Sequence, residues 1–146
     1  MQYRPGYVLM HCQGVPGTMQ QNPHYNDVVS EVTAFFEEKM NVLVNAGFPE
    51  ENILLDPGIG FGKKMEHNLA LMAHPEAWER LGRPSLMALS MKSVFNDLLG
   101  LPVESRGPAT QTATALCYTR GYAWHRVHDA RAASQALRLA DAFMNA

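Results

Sequence analysis

Four short apolar runs, each followed by an amphipathic stretch, constrain this chain more than any other feature. Tyr7 to Met10 runs into His11-Cys12-Gln13-Gly14, and Ile53 to Leu55 runs into Asp56-Pro57-Gly58. Pro84 to Leu89 ends at Ser90-Met91-Lys92-Ser93, and Tyr122 to Val127 carries Arg126-Val127-His128-Asp129 at its end. Such runs read as buried strands entering loops. Between the first two, Val28, Val29, Val32, Phe35, Phe36, Met40 and Leu43 recur at helical spacing, with Asn26 or Asp27 able to cap the start and Gly47 placed to stop the helix. A second helix is expected from Asn68 to Leu81, kinked or split near His74 by Pro75. Helical segments follow at Val94 to Leu99 and Thr110 to Arg120, flanking an irregular Pro102-to-Pro108 connection, and an alanine-rich helix runs from Ala130 to Met144. Strand and helix alternating four times predicts an α/β fold with parallel strands joined by crossover helices.

At 146 residues the chain has the size of one domain, and no internal boundary or repeat interrupts it. A net charge of -2 without a basic block argues against nucleic acid or an anionic membrane as partner. No apolar run reaches the length of a bilayer span. Met1 to Tyr7 lacks the apolar core of a signal peptide, and Cys12 and Cys117 form no disulfide framework, so a cytoplasmic setting is expected. The spacings of His11, His67, His74 and the two cysteines match no zinc pattern, so no metal site is expected among them.

The segment Leu55-Asp56-Pro57-Gly58-Ile59-Gly60-Phe61-Gly62-Lys63 places one carboxylate at a strand end, ahead of three alternating glycines. In α/β proteins ligands collect beyond the carboxyl ends of the strands. A carboxylate there can accept from the N–H groups of an amino-heterocycle, and glycines let a flat ring approach the backbone. A tight turn with a solvated aspartate is the plainer alternative. Arg126 and His128 are two residues apart, so in a strand they project to one side and form a site for an anion, with Val127 and His125 opposite.

These strand ends together resemble the dihydropteroate synthase family of pterin-binding barrel enzymes. The resemblance rests on Leu9-Met10-His11-x-Gln13-Gly14 with Thr18-Met19-Gln20, on the Asp56 segment through Lys63, on His67-Asn68, on Ser90-x-Lys92-Ser93, and on Arg126-Val127-His128-Asp129. It runs in order over essentially the whole chain. It implies the C-terminal half of a (β/α)8 TIM barrel, a fold of typically ~250 residues, with residues 1–146 forming a partial pterin-binding domain that resembles barrel units five to eight. The implied reaction is a transferase step of folate biosynthesis: p-aminobenzoate condenses with 7,8-dihydropterin-6-ylmethyl diphosphate and pyrophosphate leaves.

By the same resemblance Asp56 accepts hydrogen bonds from the pterin, Lys92 reaches its carbonyl edge, and Arg126 and His128 meet pterin and diphosphate, so Lys92, Arg126 and His128 are the expected catalytic residues. Met10, Gln13, Phe61 and Ser90 complete the expected substrate-binding set. Mg2+ is an implied cofactor whose family asparagine ligand is not in this chain. Implied partners are a missing N-terminal half-barrel chain and a second copy docked through the C-terminal helices. Two departures stand out: Met91 occupies a position where the family commonly has arginine, and Ala88 one where it has glycine. Turnover, pterin binding without turnover, and half of a pterin-dependent methyltransferase are all compatible with the residues present.

Overall fold

In the computed structural model, Tyr3 and residues 5–146 are described. The reading of the N-terminal segment therefore falls partly on residues outside the described ones, namely Met1, Gln2 and Arg4. The four expected strands form at β1 (Tyr7–Met10), β2 (Ile53–Asp56), β3 (Leu86–Met87) and β4 (Trp124–His125). β1 pairs with β2 in parallel over four residues, from Tyr7 with Ile53 to Met10 with Asp56. β3 pairs with β4 in parallel through Leu86 with Trp124 and Met87 with His125. A single parallel bridge, Leu55 to Ser85, joins the two pairs, so the spatial order of the strands is their order in the chain. Helices cross over between them: α1 (Val28–Asn45), α2 (Met65–Ala73), α3 (Val94–Leu99), α4 (Gly107–Thr119) and α5 (Ala130–Met144).

Local chemistry explains the bounds. Asp27 is the cap of α1, its carboxylate accepting from the Val29 and Ser30 N–H groups, while Glu31 accepts from Asn26 and Asp27 in return. Pro75 splits the second helix at His74 as expected; a 3-10 segment, Pro75–Leu81, follows. That helix begins at Met65, three residues before the expected Asn68, and α4 begins at Gly107 rather than Thr110, with Pro108 in its first turn where a missing N–H matters least. α5 has the expected bounds, capped by Asp129.

The third and fourth strands are shorter than the expected Pro84-to-Leu89 and Tyr122-to-Val127 runs. Pro84 has no N–H to donate and contributes only its carbonyl, to Leu55. Tyr122 is held by the end of α4 instead, its N–H donating to the Cys117 carbonyl.

The core lies between the strands and one layer of helices. Leu9, Ile53, Leu55 and Met87 face Val32, Phe36 and Met40 of α1, together with Leu71, Trp78 and Tyr122. Phe36 meets Trp78 edge-on at 5.6 Å, and Trp78 lies 6.4 Å from Tyr122. Both polar tips are satisfied: Trp78 Nε1 donates to Ser85 Oγ at 2.8 Å and the Tyr122 hydroxyl to the Leu71 carbonyl at 2.5 Å. The other face of the strands is not covered in this way. Val8 is 47% and Trp124 55% exposed, and Leu54 and Leu86 are half-buried. Four parallel strands in sequential order, covered by helices on one side only, make an α/β half barrel whose bare side is the interior of a closed one. Among the described residues, no helix is long and apolar enough to cross a membrane.

Candidate functional site

Beyond the carboxyl end of β2 the chain folds into a tight polar knot around Asp56. The carboxylate is 2% exposed. Its Oδ1 accepts from the Gly58 N–H at 2.8 Å, and among the described residues no hydrogen bond reaches Oδ2. Burial pushes the Asp56 pKa up. The Gly58 N–H and then the Arg126, Lys92 and Lys63 cations oppose that shift, so three positive side chains from three segments act on one carboxylate.

The glycines are there for close approach. A Cβ on Gly58, at φ +66°, would lie 1.9 Å from the His11 carbonyl oxygen, and one on Gly62, at φ +63°, 2.3 Å from that of Gln13. The loop is thus laid directly on the chain leaving β1. Asn68 locks it from α2, accepting from the Gly60 N–H at 2.9 Å and donating to the Lys64 carbonyl at 2.9 Å. The Gln20 side chain donates to the Gly60 carbonyl.

Lys92 comes from the loop after β3 and lies across Gly60, where an added Cβ would meet its Cδ at 3.5 Å. Its ammonium is 4.0 Å from the centroid of the Phe61 ring, so Phe61 is a half-exposed platform for the cation. Burial and the nearby Arg126 lower the Lys92 pKa, with Asp56 acting against them. Met10 is half-buried beside Asp56, its register partner.

Arg126 and His128 are exposed while His125 and Val127 are half-buried, which keeps the expected alternation; both lie past the end of β4, where the Arg126 N–H still donates to the Met87 carbonyl at 3.0 Å but His128 has left the ladder. His128 is tied instead to Ser90, whose hydroxyl accepts from the His128 N–H at 3.2 Å and lies 2.8 Å from Nδ1. Asp129 caps α5.

Asp56, Phe61, Lys92 and Arg126 therefore share one mouth, with Met10 below and the Ser90–His128 pair at its rim. Gln13 is differently engaged. Its amide donates to the His24 carbonyl at 2.9 Å and accepts from the His24 N–H at 3.1 Å, so it braces the long connection after β1.

Met91 sits at φ +61°, an uncommon conformation for a side-chain-bearing residue. Its N–H donates to Thr110 Oγ1 at 3.2 Å and its carbonyl accepts from Arg106 at 3.0 Å, so α4 and its leading turn set the bend that presents Lys92. Sequence reasoning missed Arg106 and Thr110 in this role, and also the buried Lys63 and His11. The signal for the latter pair was a lysine closing the glycine segment and a histidine ending β1.

The arrangement can hold a flat, hydrogen-bond-donating ring against a buried carboxylate and an anion against the cations beside it. The pterin binding enzyme family matches residues 1–128 of the chain. Dihydropteroate synthase of Haemophilus influenzae is 38% identical over 138 residues, which cover 94% of this chain and 50% of that protein. Among solved structures, Yersinia pestis dihydropteroate synthase with a sulfonamide drug complex superposes with a TM-score of 0.93 at 33% identity, covering 97% of this chain and 51% of that one. The Xanthomonas albilineans dihydropteroate synthase with 4-aminobenzoic acid gives 0.88 at 38% identity, covering 98% and 50%. The chain spans about half the length of the relatives it matches.

Proposed function

Since the chain belongs to the pterin binding enzyme family, we propose that it carries the pterin and diphosphate side of a dihydropteroate synthase site, as barrel units five to eight. The observation that carries this reading is the meeting of Arg126, Lys92 and Lys63 on the buried Asp56 carboxylate. In the proposed complex the pterin's amino and ring N–H groups donate to Asp56, and such charge-assisted paired bonds fix the orientation of the ring. Lys92 donates to its carbonyl edge from above Phe61. Arg126 and His128 hold the diphosphate.

As the amine nitrogen of p-aminobenzoate bonds to the pterin methylene carbon, the carbon–oxygen bond to diphosphate breaks and its electron pair leaves with pyrophosphate. The amine proton passes to water. Positioned cations favour that departure because negative charge grows on the leaving oxygen. Among the described residues, no group of three or more His, Cys, Asp or Glu could hold a metal ion. Magnesium asks for less than such a cage, since it usually keeps several waters and binds through one or two carboxylates and substrate phosphates.

The bare strand face, with Val8 and Trp124, is the proposed seat of a first half barrel supplied by another stretch of chain. A second copy is the proposed partner of the outer helices. There a groove of about 450 Å³ between α2, α3 and α4 adjoins one of about 380 Å³ between α4 and α5, and Leu116, Leu139 and Phe143 stand exposed.

Pterin binding without condensation is the second reading, favoured by Met91, which brings no guanidinium to the rim. Calorimetric titration with 7,8-dihydropterin-6-ylmethyl diphosphate, alongside a condensation assay with p-aminobenzoate, tests both. Binding with turnover supports the synthase, binding alone supports the second reading, and no binding refutes both.

A further inference from the structure

The Lys63 side chain turns back beneath the Asp56 loop and is 4% exposed. Its ammonium lies 2.9 Å from His11 Nδ1, 3.0 Å from the Phe61 carbonyl and 3.1 Å from the Gly58 carbonyl, with the His11 carbonyl at 3.5 Å. A buried ammonium is tolerable only when its three protons find acceptors, and here they do. The acceptors belong to two loops. His11 directly follows β1, while Gly58 and Phe61 are the two ends of one turn, closed by the Phe61 N–H donating to the Gly58 carbonyl at 3.0 Å. Gly58 works in both directions: its N–H donates to Asp56 and its carbonyl accepts from Lys63. One residue therefore connects the buried cation to the carboxylate.

We propose that Lys63 is a positioning residue, whose ammonium ties the end of β1 to the Gly58–Phe61 turn and so sets the direction in which Asp56 faces its ligand. The effect on ligand rests on the pterin-binding reading; the tie itself is a property of the free chain. Donation from Lys63 requires His11 to be neutral with its proton on Nε2. Burial and Lys63 together lower the His11 pKa to about 4, and the ring packs edge-on against Phe35 at 4.9 Å. Burial lowers Lys63 itself to about 8, with Cys12 and Asp56 opposing and Lys92 adding to the shift.

The charged and titratable neighbours are thus His11 and Cys12 after β1, Asp56 in the loop, Lys92 after β3 and His67 on α2. Tyr25 donates its hydroxyl to the Gly62 carbonyl, and burial raises its pKa to about 12. When Lys63 loses its proton it keeps two donors and gains a lone pair, so either its bond to His11 fails or His11 carries its proton on Nδ1 and donates to the amine. In both cases the tie is rearranged and a cation beside Asp56 disappears.

The test follows the backbone amide signals of Gly58, Gly60 and Phe61 in the free chain from pH 6 to pH 10. A Cys12→Ser background takes the neighbouring thiol out of the titration. The expected result is a concerted shift with its midpoint below about 8, because Cys12 no longer holds the Lys63 pKa up, and the shift is absent when Lys63→Met is added to the same background. Amides that do not move across this range, or that move equally in Lys63→Met, overturn the tie. The titration of the chain that keeps Lys63 needs no variant at 63, so amides that stay still overturn the tie even where Lys63→Met fails to fold. For a folded Lys63→Met chain, the dissociation constant for 7,8-dihydropterin-6-ylmethyl diphosphate at pH 7 is expected to rise roughly tenfold or more. Equal affinity overturns the positioning role. A parent chain that binds no pterin overturns the pterin reading instead, and the amide titration still judges the tie.

Discussion

The two strand pairs present their carboxyl ends in different states. At the end of β1 and β2, Asp56 and Lys63 are buried, the loop is laid on neighbouring backbone, and Asn68 and Lys63 hold it from within. At the end of β3 and β4, Arg126 and His128 are exposed, each strand is two residues long, and the links across are the Arg126 N–H to the Met87 carbonyl and the Ser90–His128 contact. The difference follows from chemistry nearby. β1 and β2 share a four-residue ladder, whereas Tyr122 gives its N–H to the Cys117 carbonyl and is lost to the second one. A carboxylate that must match the donor pattern of a ring needs fixed geometry. Cations facing an anion act over longer range and tolerate an open setting.

Substitutions that act on one pair and spare the other should break or sharpen this contrast. Gly58→Ala carries the largest effect, because a methyl must displace the His11 carbonyl at a positive φ. A loss of about 3–5 kcal/mol of stability is expected in urea denaturation. Gly121→Ala, before β4, has a positive φ but nothing within 4 Å of the added carbon, so about 1–2 kcal/mol is expected. Equal losses would erase the contrast.

Acid comes next. His11 has its folded pKa lowered from 6.5 to about 4, so between those values the unfolded chain binds the extra proton and stability rises with pH. Stability should therefore fall by about 3 kcal/mol as pH drops through that window, and His11→Gln should remove that part of the slope. His67 and His125 are also lowered and add slope of the same sign, so the comparison is between the two chains.

Asp56→Asn should weaken pterin binding by about 1–3 kcal/mol with little change in fold, read by calorimetry. The smallest effect belongs to the open side. Arg126→Met should cost about 0.5–1 kcal/mol more for the diphosphate ligand than for a pterin lacking it, and salt should diminish the difference.

Much of this was legible in the residues. The bounds of β1 and α5, the break at His74 and the cap of α1 at Asp27 follow from local chemistry that a short window contains. The Asp56 loop was readable as a site because carboxylate, glycines and strand end are contiguous. What was not legible depends on distant partners. Lys63 reads locally as a solvated loop lysine, and His11, 52 residues earlier, joins the Gly58 and Phe61 carbonyls in taking up its buried protons. Met91 adopts its left-handed bend because Thr110 and Arg106 meet its backbone from the next helix and the turn before it. The length of β3 and β4 was overread because apolar runs were counted while the donors needed to pair them were not.

The most direct test is calorimetric titration of the chain with 7,8-dihydropterin-6-ylmethyl diphosphate, beside Asp56→Asn under the same conditions. Saturable binding by the parent chain, weakened by about 1–3 kcal/mol in the variant, is the predicted result. No binding by the parent, or equal binding by both, would contradict a pterin site built on Asp56.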